Sequence, residues 1–431
     1  MITLDTTRLE YSDRGEVTAI TYAEGVTTTY TYDGLDNLLA EDSTASGLTR
    51  HRYDAAGNRI ETVDARGVVT QYDYDALNRL TAVRYPSSPQ ENIDYRYDEG
   101  VNGTGRLTSI DDPSGETAFT YDERGNLITD TRMIDGVHYT TRYEYNRANQ
   151  MTELIYPSGR IVHYRLDGLS RVTAITTQAN AAAPQKVVAE DFDYLPFGPA
   201  TGWTHGNGLD TDIDYNRDYR ITDIDVQDMD EIMSLTYQYS DVSNITRILD
   251  NLGANDQQFG YDALNRLTHA EGNYGNIDYS YDSVGNRQTR TIEQDGERTE
   301  ESYVYEAGSH RIDRVTTTDN DGIETRQFRH DDNGNIVEDI SGERSIEMIV
   351  NARNRLQAII KDGEQVGEYE YNALGQRVAK TSRYRGRLHA HFDNGNNNVV
   401  LSDSEGPQNG KVKNNDEGAN GSRRNADGLH S

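Results

Sequence analysis

The sequence contains no cysteine, which excludes disulfides, zinc–thiolate sites and thiol chemistry and leaves the compartment open. Tryptophan occurs once, phenylalanine 6 times and proline 8 times in 431 residues. Basic residues are also few. Lys plus Arg is 42 against 73 Asp plus Glu, a net charge of 42 − 73 = −31. Nucleic acids and anionic membranes require a basic surface, so neither is expected as a partner. No apolar run approaches the roughly 20 residues of a membrane span. The opening MITLDTTRLE lacks the basic and apolar regions of a signal peptide. The expected location is the cytoplasm, or outside the cell by a route that uses no such peptide. Hydrophobic residues make up only 34% and mean hydropathy is −0.85, too little for a conventional thick core.

What the chain does have is 30 Tyr and 38 Gly. Tyrosine suits strands in which one ring face packs and the hydroxyl stays wet. Glycine at this level implies many turns. The octapeptide YDALNRLT occurs at residues 74–81 and again at 261–268. It belongs to a series of eighteen units, each opening on an aromatic or equivalent anchor. The first anchors are Tyr11, Tyr32, Tyr53 and Tyr74, each 21 residues after the last. Later anchors include Tyr121, Tyr164, Tyr215, Tyr239, Tyr261, Tyr281, Tyr305 and Tyr371, mostly 19 to 25 residues apart.

An acidic residue often follows the anchor, as at Asp33, Asp54, Asp75, Asp122, Asp262 and Asp282. Four residues after the anchor stands Gly or Asn at thirteen of eighteen units, including Gly57, Asn78, Gly125, Asn265, Gly285 and Gly375. Gly and Asn tolerate a left-handed backbone, so a shared positive φ is the simplest cause. A type I turn followed by a left-handed residue is a common hairpin connection. Ser243, Ser309 and Tyr219 break this rule, and the Tyr97 unit delays its glycine to Gly105. Aromatic pairs two apart, such as Tyr72 and Tyr74 or Tyr279 and Tyr281, put both rings on one strand face.

A second turn then follows, as in DARG at residues 64–67. Two short strands and two turns fill roughly 20 residues. The fold class is therefore all-β: an antiparallel meander of about thirty-six strands. An open twisted sheet of that size must curl into a coil. Residues 1–402 form the repeat array. Residues 403–431, rich in Gly, Asn, Ser and charge without periodicity, read as a disordered tail.

No chemistry-bearing constellation stands out. Asp210, Asp212 and Asp214 lie on one strand face, and Asp223, Asp225, Asp228 and Asp230 follow. A solvated outer face is the expected reading, with weak Ca²⁺ binding as the alternative. A calcium loop around Asp319 and Asp321 would place Phe328 where a carboxylate belongs. The ten His show no H-E-x-x-H spacing. GQRVAKT at 375–381 has Ala379 where a P-loop needs glycine. No catalytic residue, metal ligand or cofactor is expected, and the tyrosines are expected to be packing residues.

YDALNRLT, YDAAGNRI, YDERGNLI, YDSVGNRQ and YNALGQRV resemble the YD repeats of bacterial RHS proteins. Residues 193–224 also resemble a recurrent RHS stretch. The resemblance covers residues 8 to 400. It implies a hollow β-shell, as in the insecticidal toxin-complex proteins and animal teneurins, which in bacterial members encloses a C-terminal toxin. The DPxGxxGG and DPxGL motifs of the family's self-cleaving core region are missing from this sequence. The chain is therefore expected to be a shell segment, from a truncated, split or orphan RHS product. It would be non-enzymatic and would encapsulate or scaffold a polypeptide cargo, or pair with a remaining shell segment. The alternative implied by the resemblance is a surface or secreted module that binds glycans.

Overall fold

The computed structural model describes residues 6–134, 136–384, 387–393 and 399–403. Over this span, 36 strands run from Arg8–Tyr11 to Val399–Asp403 in one antiparallel sheet. Among the described residues, each strand pairs only with its neighbours in sequence, so the sheet stays open. The last strand reaches Asp403, one residue into the expected tail. The rest of that tail, residues 404–431, lies outside the described residues.

Two kinds of turn alternate along the ribbon. In the first, which follows the anchor, Asn78 N–H bonds to Asp75 O at 3.0 Å and Asp75 N–H to Arg79 O at 3.0 Å. This is a type I turn closed by a left-handed residue. It places one extra residue on the outgoing strand. Tyr74 therefore pairs with Leu80, Asp73 pairs with Ala82, and the register slips between them. The same slip recurs at Tyr32, Tyr53, Tyr261, Tyr281 and Tyr371. The second turn is often tighter, as between the paired residues Asp112 and Gly115.

The wall is one layer thick. In Val17–Thr21, Met151–Ile155 and Ile221–Gln227 every residue is half-buried, without alternation. A strand packed against a second layer would alternate buried and exposed residues. Here both faces are partly wet, which fits the low hydropathy.

The ribbon coils back on itself. Second turns near the start meet first turns about 260 residues later. Glu24 accepts from Ser283 Oγ at 2.9 Å, and Ala45 O accepts from Arg311 Nε at 2.7 Å. Ala65 N–H reaches Asn333 Oδ1 at 3.0 Å, and Asp112 Oδ2 accepts from Ala373 N–H at 2.5 Å. These partners are 259, 266, 268 and 261 residues apart. A small core lies across this seam. Val83, Tyr85, Ile93 and Ile110 are buried there, with Ala352 and Ala373 packed on them from the next turn of the coil.

The seam tests the coil directly. Gly334 and Gly285 share left-handed φ values of 84° and 94°. A Cβ at Gly334 would lie 2.5 Å from Ala45 O across the seam, whereas one at Gly285 would meet nothing within 4 Å. Gly285→Ala should therefore cost only the left-handed penalty, about 1–2 kcal/mol. Gly334→Ala should cost about 1–3 kcal/mol more, because backbone must move. Urea unfolding of the two variants measures the difference; equal losses would remove the seam.

Candidate functional site: the tyrosine ladder and the seam

The repeat residues form one continuous hydrogen-bonded ladder. At its base is the residue after the anchor. Asp54 Oδ1 accepts from Ala56 N–H at 2.9 Å and Asn58 N–H at 2.8 Å. Asp33, Asp75, Asp122, Asp262 and Asp282 do the same with the second and fourth residues beyond them. The second carboxylate oxygen holds the side chain four residues on. Asp122 takes Asn126 at 2.8 Å, and Asp75 takes Arg79 Nε at 2.6 Å. An amide serves equally for the two backbone bonds, as Asn146 and Asn372 show.

These bonds favour the charged carboxylate. The Asn126 side-chain amide, with the backbone N–H groups, holds Asp122 down to about 2. The Arg79 guanidinium, with Gly105 N–H, does the same for Asp98, also to about 2. Asp33 and Asp54 are lowered chiefly by Asn37 and Asn58, and Asp75 chiefly by the Arg79 N–H.

The turn then requires a left-handed residue. Asn78 and Asn265 have φ of 59° and 61°, alongside Gly57, Gly125 and Gly375 at 85°, 90° and 75°. The irregular units obey the same geometry. Asp36, Ser243 and Tyr219 are left-handed at 65°, 69° and 58° despite their side chains. One expected anchor moves by two positions. The register slips at Leu166 rather than Tyr164, and Ser170, not Gly168, is left-handed at 70°. In the Tyr305 unit an additional residue shifts the positive φ to Gly308. Gly198 closes an equivalent turn without a left-handed φ.

The anchor tyrosines tie each unit to the one before. Tyr74 OH donates to Arg59 O at 2.9 Å, Tyr261 OH to Ile245 O at 2.7 Å, and Tyr281 OH to Leu267 O at 2.7 Å. Tyr97, Tyr121, Tyr145, Tyr194, Tyr215, Tyr239 and Tyr305 repeat this at 2.6–3.0 Å. The acceptor is always the residue that opens the outgoing strand, where the register slips. At Tyr97, Tyr121, Tyr194, Tyr239 and Tyr281 the residue just before that acceptor is an arginine lying over the same ring. Arg79 is 4.4 Å from the Tyr97 centroid and Arg266 is 5.0 Å from that of Tyr281. Such cation–π contacts contribute about 0.5–1 kcal/mol at exposed sites.

Five of the eight letters of YDALNRLT thereby acquire a cause. Tyr bonds backwards, Asp caps the turn, Asn supplies the positive φ, Arg bridges Asp to the next ring, and Leu offers its carbonyl to the next tyrosine. Ring faces are covered by guanidinium groups and phenols are bonded, which is the geometry of packing. Burial pushes the Tyr261 and Tyr281 phenols up, and lifts Tyr303, beside Glu301, to about 12.

At the seam, polar groups of the two coil turns interlock. Arg66 is held by Asp64 and bonds to Asn351 O at 3.0 Å, while Asn333 Nδ2 reaches Asp64 at 2.7 Å. Glu91, only 6% exposed, accepts from Asn351 Nδ2 at 3.1 Å and is shifted up by burial. A cleft of about 580 Å³ beside these groups is lined by Arg66, Asp331, Glu338, Glu347 and Met348.

The acidic stretch forms cross-strand pairs, Asp212 opposite Asp225 and Asp214 opposite Asp223. Thr236 Oγ1 donates to Asp223 at 2.7 Å and Thr204 Oγ1 to Asp210 at 2.6 Å, so two of these carboxylates have neutral donors on the adjacent strand. Among the described residues no group of three or more His, Cys, Asp or Glu is placed to hold a metal ion. No helix there is long and apolar enough to cross a membrane. The lone tryptophan joins a local row, Phe192 on Trp203 at 5.7 Å and Trp203 Nε1 donating to His205 Nε2 at 3.1 Å. Sequence reasoning missed both the backward tyrosine bonds and the seam. The first had a signal, the residue after Arg or Asn in most units; the second had none.

The ladder makes stability depend on pH at both ends. Asp122 titrates near 2 folded and near 3.9 unfolded. Its contribution is present above pH ~4 and lost as pH falls towards 2. The phenols are raised, so their contribution is present below pH ~10 and lost as pH rises towards 12. The melting temperature should therefore fall in both windows. Asp122→Asn should flatten the acid limb, keeping both backbone bonds, and Asp122→Ala should lower the melting temperature at neutral pH. Tyr261→Phe should cost about 1 kcal/mol in urea unfolding; a neutral outcome would remove the tyrosine ladder as a stabilising element.

Comparison with known proteins agrees with this geometry. A family profile described as RHS Repeat matches residues 11–49, 53–90 and 101–137. Two curated relatives are the tRNA nuclease WapA of Bacillus subtilis (strain 168) and the tRNA3(Ser)-specific nuclease WapA of Bacillus spizizenii. Each is 29% identical, over 154 and 150 residues, or 35% and 34% of this chain. The aligned stretch is only 6% of the length of each relative. Among solved structures, the Photorhabdus luminescens Tc holotoxin pore aligns with a TM-score of 0.74 at 16% identity, covering 93% of this chain and 23% of that one. The TcdB2–TccC3 structure aligns at 0.70 and 16%, covering 93% and 24%. The chain thus carries RHS repeats, matched by profile between residues 11 and 137, in an open coiled sheet that has the fold of these Tc structures.

Proposed function

We propose that the chain is a non-enzymatic wall segment that encloses or scaffolds a polypeptide. The observation that supports this reading is the seam. A ribbon one layer thick meets itself about 260 residues later, through bonds such as Arg311 to Ala45 O, and so becomes a curved partition. The repeat residues are absorbed into holding that partition together. Ten of the anchor phenols and the capping carboxylates at Asp54, Asp75, Asp122, Asp262 and Asp282 already have partners within the wall. The chain spans 23% and 24% of the matched Tc structures, which fits a role as one portion of such a wall.

Purification of the native protein from its host tests the proposal. A polypeptide should co-purify in fixed ratio and resist added protease while the wall is intact. Acid below pH 4, which weakens the ladder, should expose it. If no polypeptide accompanies the protein, or if the bound one is cleaved at its free rate, the enclosing role fails.

A further inference from the structure

The coil leaves most of its first-turn edge uncovered, and one position of that edge is apolar in many of the units. Leu35, Leu77, Leu169, Phe197, Val242 and Leu264 stand at the same place in six of the first turns along this edge, one residue before the left-handed position or its equivalent. They are 78%, 72%, 70%, 98%, 64% and 54% exposed. Two strands of about 4.8 Å separate one unit from the next, so these side chains recur about every 10 Å or a multiple of it. Single exposed apolar residues need no explanation; a row at one structural position does.

The seam shows what covers this position. Val284, Asn333 and Arg353 occupy it in later units and are half-buried beneath the second turns of the first coil turn. Leu374, also there, is 58% exposed, and its neighbour Ala373 makes the contact instead. The covering element is a second-turn edge, which approaches with carboxylates at Glu24, Asp64, Glu91 and Asp112. Later second turns carry the same chemistry on an open edge, at Asp228, Asp230, Asp295, Asp321 and Asp362, all exposed. Arg124 and Asp218 interrupt the row at the same position, with Arg147 and Arg217 beside it, all exposed.

We infer that the free first-turn edge, from Leu35 to Leu264, docks the free second-turn edge of a second copy of this chain. The contact repeats the intramolecular seam. Every copy carries both edges, so the association is heterologous, one copy stacking on the next as a further turn of the coil. The net charge of −31 opposes stacking, and about 0.15 M salt screens the part of that repulsion acting beyond about 8 Å. The inference rests on the wall reading, but self-association can fail while cargo protection survives.

Sedimentation velocity of the full 431-residue chain from about 1 to 100 µM in 0.15 M salt is the test. Dimers or longer stacks should grow with concentration. The double variant Leu77→Asp, Leu264→Asp should raise the dissociation constant at least tenfold at an unchanged melting temperature. Val188→Asp, which places the same charge on the face of the wall, should change nothing. A monomer at every concentration overturns the inference. So does an oligomer that the double variant leaves intact, or one that Val188→Asp disrupts equally.

Discussion

One oxygen atom per unit organises this protein. The Oδ1 of an Asp or Asn accepts two backbone amides, from the second and fourth residues after it. A single acceptor thus fixes three consecutive residues in a type I turn and forces the next into the left-handed region. The outgoing strand gains one residue, and the register slips opposite the anchor. The slip leaves a strand-opening carbonyl facing the following unit, where a tyrosine hydroxyl bonds to it. Turn, bulge and inter-unit contact are consequences of that one bifurcated acceptor.

The arrangement explains how so thin a wall holds together. Buried apolar side chains are sparse and scattered, and the one sizeable cluster sits at the seam. Stability is instead spread over many small, nearly equivalent contacts between neighbouring units. That is the regime of repeat proteins, in which each unit needs mainly its neighbours. Some units fall short of the pattern without breaking the ribbon. Tyr219 accepts a strained φ of 58°, and its ring lies against Gly198 of the previous unit, where an added Cβ would be 2.6 Å away. Tyr219 and Gly198 have traded roles across one turn: the unit that relaxes its glycine leaves room for the unit that carries a bulky left-handed residue.

The ladder was legible in outline because its bonds are local. Tyr74, Asp75 and Asn78 act within one turn, and a fixed spacing reveals them. Where the alignment of the units erred, at Tyr164, the cause is also local. Leu166 takes the anchor position, so the search for an aromatic found the wrong strand residue. Ser243 and Tyr219 seemed to break the glycine rule because composition reports tolerance of a positive φ, whereas the turn imposes it. The role of Arg79 and Arg266 was hidden for a different reason: each acts on the ring of the next unit, across the sheet rather than along the strand.

The sequence by itself determined the unit: its period, its two turns, the face that carries the tyrosines and the all-β class. Each of these rests on hydrogen bonds between residues no more than about one repeat apart. Only the tertiary structure decided that Ala45 would meet Arg311, that Asp112 would meet Ala373, and which turns would be left uncovered. Those contacts depend on twist summed over many strands. A small change in twist at each strand moves the seam by whole units, and no spacing in the chain records that sum.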